Sequence, residues 1–334
     1  MASITVQTSP SLALIKYWGK ETQGINIPAT GSLAVGLHDL RTKTTVTANP
    51  AASCDRVSVG GTEQPLHHFS TVIDALRERA RASGRSDADT PLSIESGNSF
   101  PTAAGIASSS SGFAALTIAL DAWWALDLPV AELSRIARTG SGSAARSVFG
   151  GFTRFRAGSE SAEPVYDAEW WPELRVLVAI TDTGPKTVGS RDGMERTRTS
   201  SPYYDAWVAD ARVLIEKAEH ALADRSIERL GPLMRESYLR MVGSSIAASP
   251  PVLYWLPASV AVIRACDDLR GEGFVAWETM DAGPQVKILT TARDAETVKE
   301  RIASVAGVQT ILVSSVGGSP VVTRKDRDNG DSEA

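Results

Sequence analysis

Residues that bind metals or form disulfides are scarce in this chain. Its 334 residues include two cysteines and four histidines. Cys54 and Cys266 lie far apart, no CxxC spacing occurs, and the cysteines and histidines form no cluster. This pattern argues against structural zinc and fits a reducing cytoplasm. The adjacent His67 and His68 are more typical of a solvated loop than of a metal site.

Long apolar runs and blocks of positive charge are also missing. No uncharged apolar stretch reaches the ~18 residues that a membrane-spanning helix needs, and residues 1–8 lack the basic and apolar regions of a signal peptide. The net charge is −5 and the pI is about 5.5. An acidic chain without a basic block is unlike a non-specific nucleic-acid binder. We therefore predict a cytoplasmic protein that holds any anionic ligand with a few placed cations.

Length and composition predict a two-lobed α+β protein. Apolar residues make up 43% of the chain and aromatic residues only 6%, which fits a soluble protein with sizeable cores. Its length is about twice that of a typical domain. We place a first lobe at 1–185, a second lobe at 186–323 and a charged, disordered tail at 324–334. The boundary falls within the polar, glycine-bearing segment 183–202.

Hydrophobic periodicity predicts the main elements. Strands are predicted at 3–8, 42–48, 92–95, 150–156, 174–183, 274–278, 286–290 and 310–313. Helices are predicted at 71–82, 105–120, 129–137, 204–222, 227–247, 258–270 and 295–306.

The segment 98–112 consists mainly of small residues and leads into an apolar helix. Small residues let a loop close around an anion, and a helix start adds unpaired N–H groups and a positive dipole. Four consecutive hydroxyls, Ser108 to Ser111, add donors at this point. No lysine follows the glycines, so the loop is not a Walker A motif. The pattern predicts a triphosphate-binding loop, with a serine-rich linker and an ordinary helix cap as the alternative.

Two further segments carry cations beside glycines. Residues 13–20 read Ala-Leu-Ile-Lys-Tyr-Trp-Gly-Lys, so two lysines lie four positions apart after an apolar run. Residues 139–151 contain Arg146 among glycines and serines. Lysine and arginine are suited to phosphate and carboxylate oxygens. Each segment could form an anion cradle; solvated lysines and an ordinary helix-to-strand loop are the alternatives.

An acidic residue, Asp281, precedes the turn Ala-Gly-Pro at the end of a predicted strand. A carboxylate in such a turn is presented to a ligand rather than packed away, although a turn-capping aspartate gives the same pattern. Segment 186–194, with Ser190 and Arg191, is a weaker candidate for anion contact.

Together these segments resemble one family. Ala-Leu-Ile-Lys-Tyr-Trp-Gly-Lys at 13–20, Pro-Thr-Ala-Ala-Gly-Ile-Ala-Ser-Ser at 101–109, Ser-Gly-Ser-Ala-Ala-Arg-Ser-Val-Phe-Gly-Gly at 141–151 and Met-Asp-Ala-Gly-Pro at 280–284 are similar to blocks of the diphosphomevalonate decarboxylases. These enzymes belong to the GHMP small-molecule kinase superfamily. The resemblance implies a two-lobe GHMP kinase fold: an N-terminal lobe like ribosomal protein S5 domain 2, a ferredoxin-like C-terminal lobe, and a homodimeric assembly.

The resemblance also implies a reaction. ATP with Mg²⁺ phosphorylates the tertiary 3-hydroxyl of mevalonate 5-diphosphate, and loss of that phosphate with CO₂ yields isopentenyl diphosphate. Phosphate is a far better leaving group than hydroxide, which explains the use of ATP. The site must then hold several negative charges with preorganised donors.

Site residues follow from the same resemblance, block by block. Asp281 would act beside the 3-hydroxyl as general base or orienting group, with Lys16 offsetting its charge and Arg146 clamping the C1 carboxylate. The implied ATP-binding residues are Pro101, Ala104, Gly105, Ala107, Ser108, Ser109 and Ser110, with Ser108 also placed at the metal. The implied substrate-binding residues are Tyr17, Lys20, Ser141, Gly142, Ser143, Arg146, Ser190 and Arg191.

Several positions depart from the family pattern. Ser11 and Gln285 occupy positions where the family typically has asparagine, and Ala145 occupies a position where it typically has cysteine. The family also typically has an asparagine near residue 28, in the segment that contains Gly31 in this chain. We expect most of these changes to lie near the cleft, where they bear on substrate preference. Mevalonate 5-phosphate, giving isopentenyl phosphate, is therefore an alternative substrate.

Two alternatives from other classes concern the reaction itself. A GHMP kinase that phosphorylates without decarboxylation would share the serine-rich loop, but the Lys-Tyr-Trp-Gly-Lys block and Asp281 argue against it. A non-catalytic binding protein would be expected to have lost Asp281 or Arg146, and both are present.

Overall fold

The computed structural model describes residues 2–21, 25–100, 108–184 and 187–325. Within these ranges the strands are β1 Ser3–Thr8, β2 Ser11–Ile15, β3 Ser32–Gly36, β4 Thr42–Ala48, β5 Arg56–Val59, β6 Thr62–Gln64, β7 Leu92–Asn98, β8 Phe152–Phe155, β9 Glu163–Tyr166, β10 Leu174–Ile180, β11 Trp277–Met280, β12 Val286–Thr291, β13 Thr310–Ser314 and β14 Val321–Lys325. The helices are α1 Ser70–Ala82, α2 Ser108–Trp124, α3 Val130–Gly140, α4 Ala144–Ser147, α5 Ser190–Ser200, α6 Tyr204–Ala223, α7 Ile227–Ile246, α8 Pro257–Gly271 and α9 Ala295–Ala303.

The first lobe is built on a six-stranded sheet with the order β14-β1-β4-β7-β5-β6. Side chains of β1 alternate between buried and accessible positions because one face of the sheet is covered, with Ile4 and Val6 inside. Helix α2 packs on β1 and β4. Its apolar face, from Ala114 to Leu120, completes this core.

The second lobe is built on a four-stranded antiparallel sheet with the order β11-β12-β10-β13. Numbered along the chain, these strands take the order 4-1-3-2 from the β13 edge, which is the ferredoxin-like arrangement. Helices α5 to α8 are inserted between β10 and β11, and α9 connects β12 to β13. The expected ferredoxin-like C-terminal lobe is therefore confirmed.

A third sheet has the strand order β2-β3-β8-β9. Strands β2 and β3 are completely buried. Leu14 of β2 and Val35 of β3 share one apolar cluster with Val178 of β10, Leu222 of α6 and Met234 of α7. Since an extensive apolar contact of this kind resists hinge motion, the two lobes form a single packed unit.

The strand pairing differs from the division at residue 185. Strand β10 pairs with β12 and β13, so the second lobe's sheet begins at Leu174. An apolar run such as 174–180 needs burial on both faces, and the centre of this sheet provides it. Strand β14 returns to pair with β1. Arg324 and Lys325 are therefore strand residues rather than part of a disordered tail, and 326–334 lie outside the described residues.

Most predicted elements are confirmed with shifts of a few residues at their ends. The predictions missed β2, β3, β5, β6, β9, β14, α4 and α5. Within the described ranges, no helix has both the length and the apolarity that crossing a bilayer requires.

Candidate active site

A cavity of about 1170 Å³ lies where β2, α2, α4, α5 and the turn after β11 converge. Residues from every predicted segment line it: Lys16, Tyr17, Lys20, Ser108, Ser109, Ser141, Gly142, Ser143, Arg146, Ser190, Arg191 and Asp281. The structure thus brings together side chains from distant parts of the sequence. Pro101, Ala104, Gly105 and Ala107 lie outside the described residues, so their predicted contacts with ATP stay predictions.

The carboxylate of Asp281 is held between two lysines. Its Oδ1 accepts a hydrogen bond from Lys16 Nζ at 2.8 Å, and its Oδ2 lies 3.2 Å from Lys287 Nζ. Both lysines are almost completely buried, whereas the Asp281 side chain is 26% exposed. The lysines come from opposite sides, one directly after β2 and the other within β12. The one accessible group of this cluster is the carboxylate.

Burial and charge act in opposite directions on this cluster. Burial alone would raise the pKa of Asp281, but the two ammonium groups outweigh it and hold that pKa well below its usual range. Burial lowers the pKa of Lys16 to about 8, and the attraction of Asp281 offsets this only in part. Asp281 is therefore ionised at neutral pH.

Lys16 is fixed at both its side chain and its backbone. Its Nζ donates to Ala13 O at 2.7 Å as well as to Asp281. Its backbone N–H donates to the hydroxyl of Ser237 on α7 at 3.0 Å. This second contact crosses 221 positions of sequence, which is why no local pattern pointed to Ser237.

Sequence reasoning also missed Lys287. The signal was present, because Lys287 interrupts the otherwise apolar start of β12, Val-Lys-Ile-Leu. A charged residue in the centre of a buried strand needs a partner of opposite charge. Asp281, six positions earlier and across the turn, is that partner.

Arg146 is a buried cation whose described partners are hydroxyls. It is 3% exposed. Its Nη1 donates to Ser32 Oγ at 2.6 Å and its Nε to Ser11 Oγ at 3.4 Å. Burial lowers its pKa to about 10, with Asp281 acting in the opposite direction. No carboxylate of the described residues forms an ion pair with it, so a buried positive charge faces the cavity and favours an anionic ligand.

Tyr17 and Gly142 fit against each other at the cavity wall. A Cβ on Gly142 would collide with the Tyr17 hydroxyl, so the close approach of these two segments requires glycine. The Tyr17 ring stacks on Phe155 at 6.2 Å between centroids. Its hydroxyl donates to Asn26 O at 3.3 Å. The tyrosine is thereby fixed with its edge towards the cavity.

A positively charged corner is formed by Lys20 and Arg191. Lys20 Nζ donates to Asn26 Oδ1 at 2.7 Å. Burial, followed by repulsion from Arg191, lowers the pKa of Lys20 to about 8. Arg191 and Ser190 occupy the first turn of α5, where the helix dipole adds positive potential. The corner is suited to a phosphate group, whose charge would relieve the repulsion between the cations.

Asn26 is a further residue that sequence analysis did not identify. It adopts a positive φ of 56°, a conformation that asparagine tolerates better than most residues. Its Nδ2 donates to the carbonyls of Arg138 and Thr139. Asn26 therefore links the segment that carries Lys20 to the end of α3, next to Ser141 and Ser143.

The serines at the start of α2 separate into two kinds. Ser108 and Ser109 line the cavity, and Ser109 Oγ lies 3.4 Å from Ser141 Oγ. Ser110 is completely buried, and its hydroxyl contacts Ser143 O at 3.1 Å and Ser147 Oγ at 2.6 Å. The prediction that Ser110 binds ATP is thus not supported, because its hydroxyl fastens α2 to the segment around α4.

The departures from the family pattern lie either in the cavity lining or next to residues that form it. Of Ser11, Gly31, Ala145 and Gln285, only Ser11 is among the residues that line it. Ala145 packs with Phe155 in a small apolar cluster. Gln285 is buried and accepts from the backbone N–H of Thr181 at 2.6 Å, so it ties the Asp281 turn to the end of β10. The expectation that these changes bear on substrate preference stays a prediction.

The far end of the cavity is apolar. Val57, Val59, Ile94, Phe113 and Leu116 line it, with His67, His68 and Phe69 alongside. The polar end, with its cations and carboxylate, and the apolar end could hold different parts of one large ligand or two ligands side by side.

Comparison with known proteins agrees with this geometry. The sequence matches the diphosphomevalonate decarboxylase-like N-terminal domain over residues 8–166 and the mevalonate 5-diphosphate decarboxylase C-terminal domain over residues 176–330. The chain belongs to the diphosphomevalonate decarboxylase family. The resemblance on which the expected roles rest is thereby confirmed.

Individual members of the diphosphomevalonate decarboxylase family match along nearly their whole length. The diphosphomevalonate decarboxylase of Candida albicans is 31% identical, over 97% of this chain and 98% of the relative. The solved mevalonate diphosphate decarboxylase of Staphylococcus aureus is 32% identical with a TM-score of 0.89, over 97% and 98% of the two chains. A solved complex of MDDEF with MVAPP, AMPPCP and magnesium is 33% identical with a TM-score of 0.88, over 97% and 100%. These likenesses confirm the two-lobe GHMP kinase fold.

Proposed function

We propose that this chain catalyses the ATP-dependent decarboxylation of mevalonate 5-diphosphate to isopentenyl diphosphate, ADP, phosphate and CO₂. One observation carries the proposal. An accessible carboxylate, Asp281, faces the same cavity as the buried cation Arg146, and two buried lysines hold it ionised. Together these groups can orient a substrate hydroxyl next to a substrate carboxylate that is bound by Arg146.

Substrate binding uses the two groups of cations. Arg146, held by hydroxyls alone among the described residues, pairs with the C1 carboxylate of the substrate. Lys20 and Arg191 take the 5-diphosphate at the start of α5. The remaining contacts to the diphosphate come from Tyr17, Ser141, Gly142, Ser143 and Ser190.

ATP enters from the apolar end of the cavity. Its adenine lies among Val57, Ile94 and Phe113, and its phosphates point to the start of α2, where Ser108 and Ser109 supply hydroxyls. No cluster of three or more His, Cys, Asp or Glu suited to a metal occurs in the described residues. This fits Mg²⁺, which keeps several waters and is held largely by nucleotide phosphates. The hydroxyl of Ser108 would contact the ion, and Mg²⁺ would neutralise charge developing on those phosphates.

Asp281 orients the 3-hydroxyl for attack on the γ-phosphorus. A carboxylate whose pKa lies below its usual range is a weak base, so it accepts a hydrogen bond but does not remove the proton early. Phosphoryl transfer through a loose transition state needs little deprotonation of the attacking oxygen beforehand. The proton passes to Asp281 late, as the new O–P bond forms.

The second step breaks two bonds of the phosphorylated intermediate. The C3–O bond cleaves with its electron pair leaving on phosphate, and the electrons of the C1–C2 bond form the C2=C3 double bond as CO₂ departs. Lys16 and Arg146 lie near the departing groups, and Arg146 keeps the carboxylate aligned until it is lost. Product release then requires only that these charges be rehydrated.

Product analysis tests the proposal. ADP, phosphate and CO₂ should appear in equal amounts with mevalonate 5-diphosphate, whereas ADP without CO₂ would identify a kinase instead. The value of kcat/KM should be higher for the diphosphate than for mevalonate 5-phosphate. A preference for the monophosphate would overturn the substrate assignment and leave the decarboxylation in place.

Arg191→Ala separates the two substrates further. Because Arg191 belongs to the diphosphate corner, its loss should raise KM for the diphosphate by about tenfold to a hundredfold, the value of one charge-assisted hydrogen bond. KM for the monophosphate should change little. Arg212→Ala, at an exposed position of α6 outside the cavity, serves as the matched control.

The family resemblance extends to assembly and location, and we include a cytoplasmic homodimer in the proposal. Sedimentation at micromolar concentration tests the dimer, and fractionation of the source cells tests the location.

A further inference from the structure

We propose that Lys287 is a positioning residue for this reaction, which holds Oδ2 of Asp281 so that the carboxylate keeps one orientation towards the substrate hydroxyl. The inference rests on the proposed function for its catalytic meaning. Its structural basis is independent of that function, because it concerns how three side chains meet.

Lys287 lies in a central strand that is paired on both sides. It lies in β12, between β10 and β11, and pairs in register with Val178 on one side and Thr279 on the other. Its neighbours in sequence, Val286 and Ile288, are completely buried. Lys287 itself is 2% exposed. A charge at the centre of a sheet is costly unless it is paired, and the carboxylate of Asp281 provides a partner of opposite charge.

The two lysines contact different oxygen atoms of the Asp281 carboxylate. Lys16 contacts Oδ1 from the β2 side, and Lys287 contacts Oδ2 from the β12 side. A carboxylate held at one oxygen can still rotate about its Cβ–Cγ bond. Contacts to both oxygens from opposite sides remove that freedom, which sets the plane in which Asp281 accepts a hydrogen bond.

Lys16 cannot replace Lys287 in this role. It is anchored to Ala13 O and to Ser237, so it stays on its own side of the carboxylate. Among the described residues, the charged groups that act on Lys16 and Asp281, besides each other, are Lys287 and Arg146, both of them cations. Removing Lys287 therefore removes one of two direct contacts and leaves Asp281 both more mobile and easier to protonate.

Lys287→Met and Lys287→Gln test the inference. An opposite charge at this distance lowers a carboxyl pKa by about 1–3 units, so both variants should raise the pKa of Asp281 by at least one unit. The acid limb of the kcat profile should move to higher pH by the same amount, because protonated Asp281 cannot accept the hydrogen bond. KM for ATP should stay within twofold of wild type. Lys287→Arg, which keeps the charge, should restore most of the profile.

The decisive measurement does not need substrate. Carbon-13 NMR of labelled aspartate in the ligand-free protein, with Asp281→Asn to assign its signal, follows the titration of Asp281 directly. Thr290→Val is the matched control: Thr290 is completely buried in the same strand, and its hydroxyl has no hydrogen-bond partner among the described residues. It should leave the titration unchanged.

The possible outcomes separate the inference from the proposed function. An unchanged Asp281 titration in both neutral variants overturns the role of Lys287, whatever the enzyme does. A shifted titration in a protein that releases no CO₂ from either ester supports the ion-pair arrangement and overturns the proposed function instead. Equal loss of kcat in Thr290→Val and Lys287→Met, without a shift of the acid limb, also counts against Lys287, because strand packing would then explain the loss.

Discussion

A carboxylate bound by two ammonium groups is well placed to orient a hydroxyl and poorly suited to deprotonate it. Asp281 is in this situation, because the ammonium groups of Lys16 at 2.8 Å and Lys287 at 3.2 Å outweigh the effect of burial and keep it ionised. The residue therefore acts by accepting one hydrogen bond in a fixed direction, and its loss should affect turnover more than binding.

Asp281→Asn tests this division between turnover and binding. The amide retains the shape but loses the charge and half of the acceptor capacity, so kcat should fall about 10²–10⁴-fold. Nucleotide affinity should change less than twofold, because Asp281 lies at the opposite end of the cavity from the proposed adenine site. Steady-state kinetics and calorimetric titration of a non-hydrolysable ATP analogue measure the two effects. A fall in kcat of less than tenfold would contradict the catalytic role.

The sequence predicts the proposed catalytic residues, but it does not predict several residues that contact them. Lys16, Arg146 and Asp281 could be predicted because each lies in a family block with a recognisable composition. Ser32 and Ser237 could not, since each contacts its partner across more than a hundred positions of sequence and serine is common at the surface. The long-range hydrogen bond leaves no local pattern.

At the scale of elements, helix α7 contacts the backbone of the segment that carries Lys16. The hydroxyl of Ser237 accepts from the backbone N–H of Lys16, and both groups are buried. Ser237→Ala would leave that N–H without a partner, which costs about 1–3 kcal/mol of stability, and would free Lys16 to shift away from Asp281. We expect kcat to fall about fivefold to fiftyfold, with KM changing little.

Ser244→Ala is the control for this effect. Ser244 is on the same helix and equally buried, but its hydroxyl donates only to Met241 O. Thermal denaturation should report a similar or smaller loss of stability in this variant, with kcat close to wild type. If both variants lose kcat equally, α7 contributes only packing.

Helix α5 is attached to the Lys-Tyr-Trp-Gly-Lys segment through Trp18. The indole N–H of Trp18 donates to Thr197 Oγ1 at 3.2 Å, and a Cβ on Gly193 would lie 3.1 Å from the indole ring. Thr197→Val leaves the buried indole N–H unpaired and loosens the helix that carries Arg191. KM for the diphosphate should rise about tenfold, while KM for ATP stays constant.

Thr199→Val provides the comparison for α5. Thr199 is exposed on the same helix and its hydroxyl donates to Glu195 O, so the kinetic constants of this variant should equal those of wild type. A rise in KM for ATP in Thr197→Val as large as that for the diphosphate would contradict a specific link to the diphosphate corner.

Elements with one apolar face were predicted well, and elements without a contrast between faces were not. Buried residues recur at every second position in strands β1 and β4 and at helical spacing in α1. Strands β2 and β3 are buried on both faces and rich in small residues, so they show no alternation. Helix α5, Ser-Arg-Asp-Gly-Met-Glu-Arg-Thr-Arg-Thr-Ser, is polar apart from Met194 and its glycine, so its sequence resembles a loop. Its helical state depends on packing with Trp18 and α7.

For the whole molecule, the Asp281 cluster makes stability depend on pH. The folded-state pKa of Asp281 lies below its unfolded value of about 4. The unfolded chain therefore takes up the proton first, and the stabilising contribution is present above about pH 4 and is lost as the pH falls towards the folded pKa. We expect the denaturation midpoints of wild type and Asp281→Asn to differ by a nearly constant amount between about pH 5 and pH 7, below the pKa of Lys16 at about 8.

Acidification should then bring the two midpoints together. Below about pH 4 the carboxyl of the unfolded wild-type chain takes up a proton while that of the folded protein is still ionised, so the advantage over the asparagine variant declines. Thermal or urea denaturation at intervals between pH 3 and pH 7 measures the difference. A gap as large at pH 3 as at pH 7 would show that the charge of Asp281 contributes nothing to the folded state.

The return of β14 to β1 has a consequence for biosynthesis. The edge strand β14 of the first lobe's sheet is formed by residues 321–325, more than two hundred positions after the sheet's other strands, which all end before residue 99. The N-terminal lobe therefore cannot complete its sheet before residues 321–325 have been synthesised, and its β1 edge stays open until then. A nascent chain arrested at residue 320 should thus engage chaperones that recognise unpaired strand edges, and release only when the last strand is added.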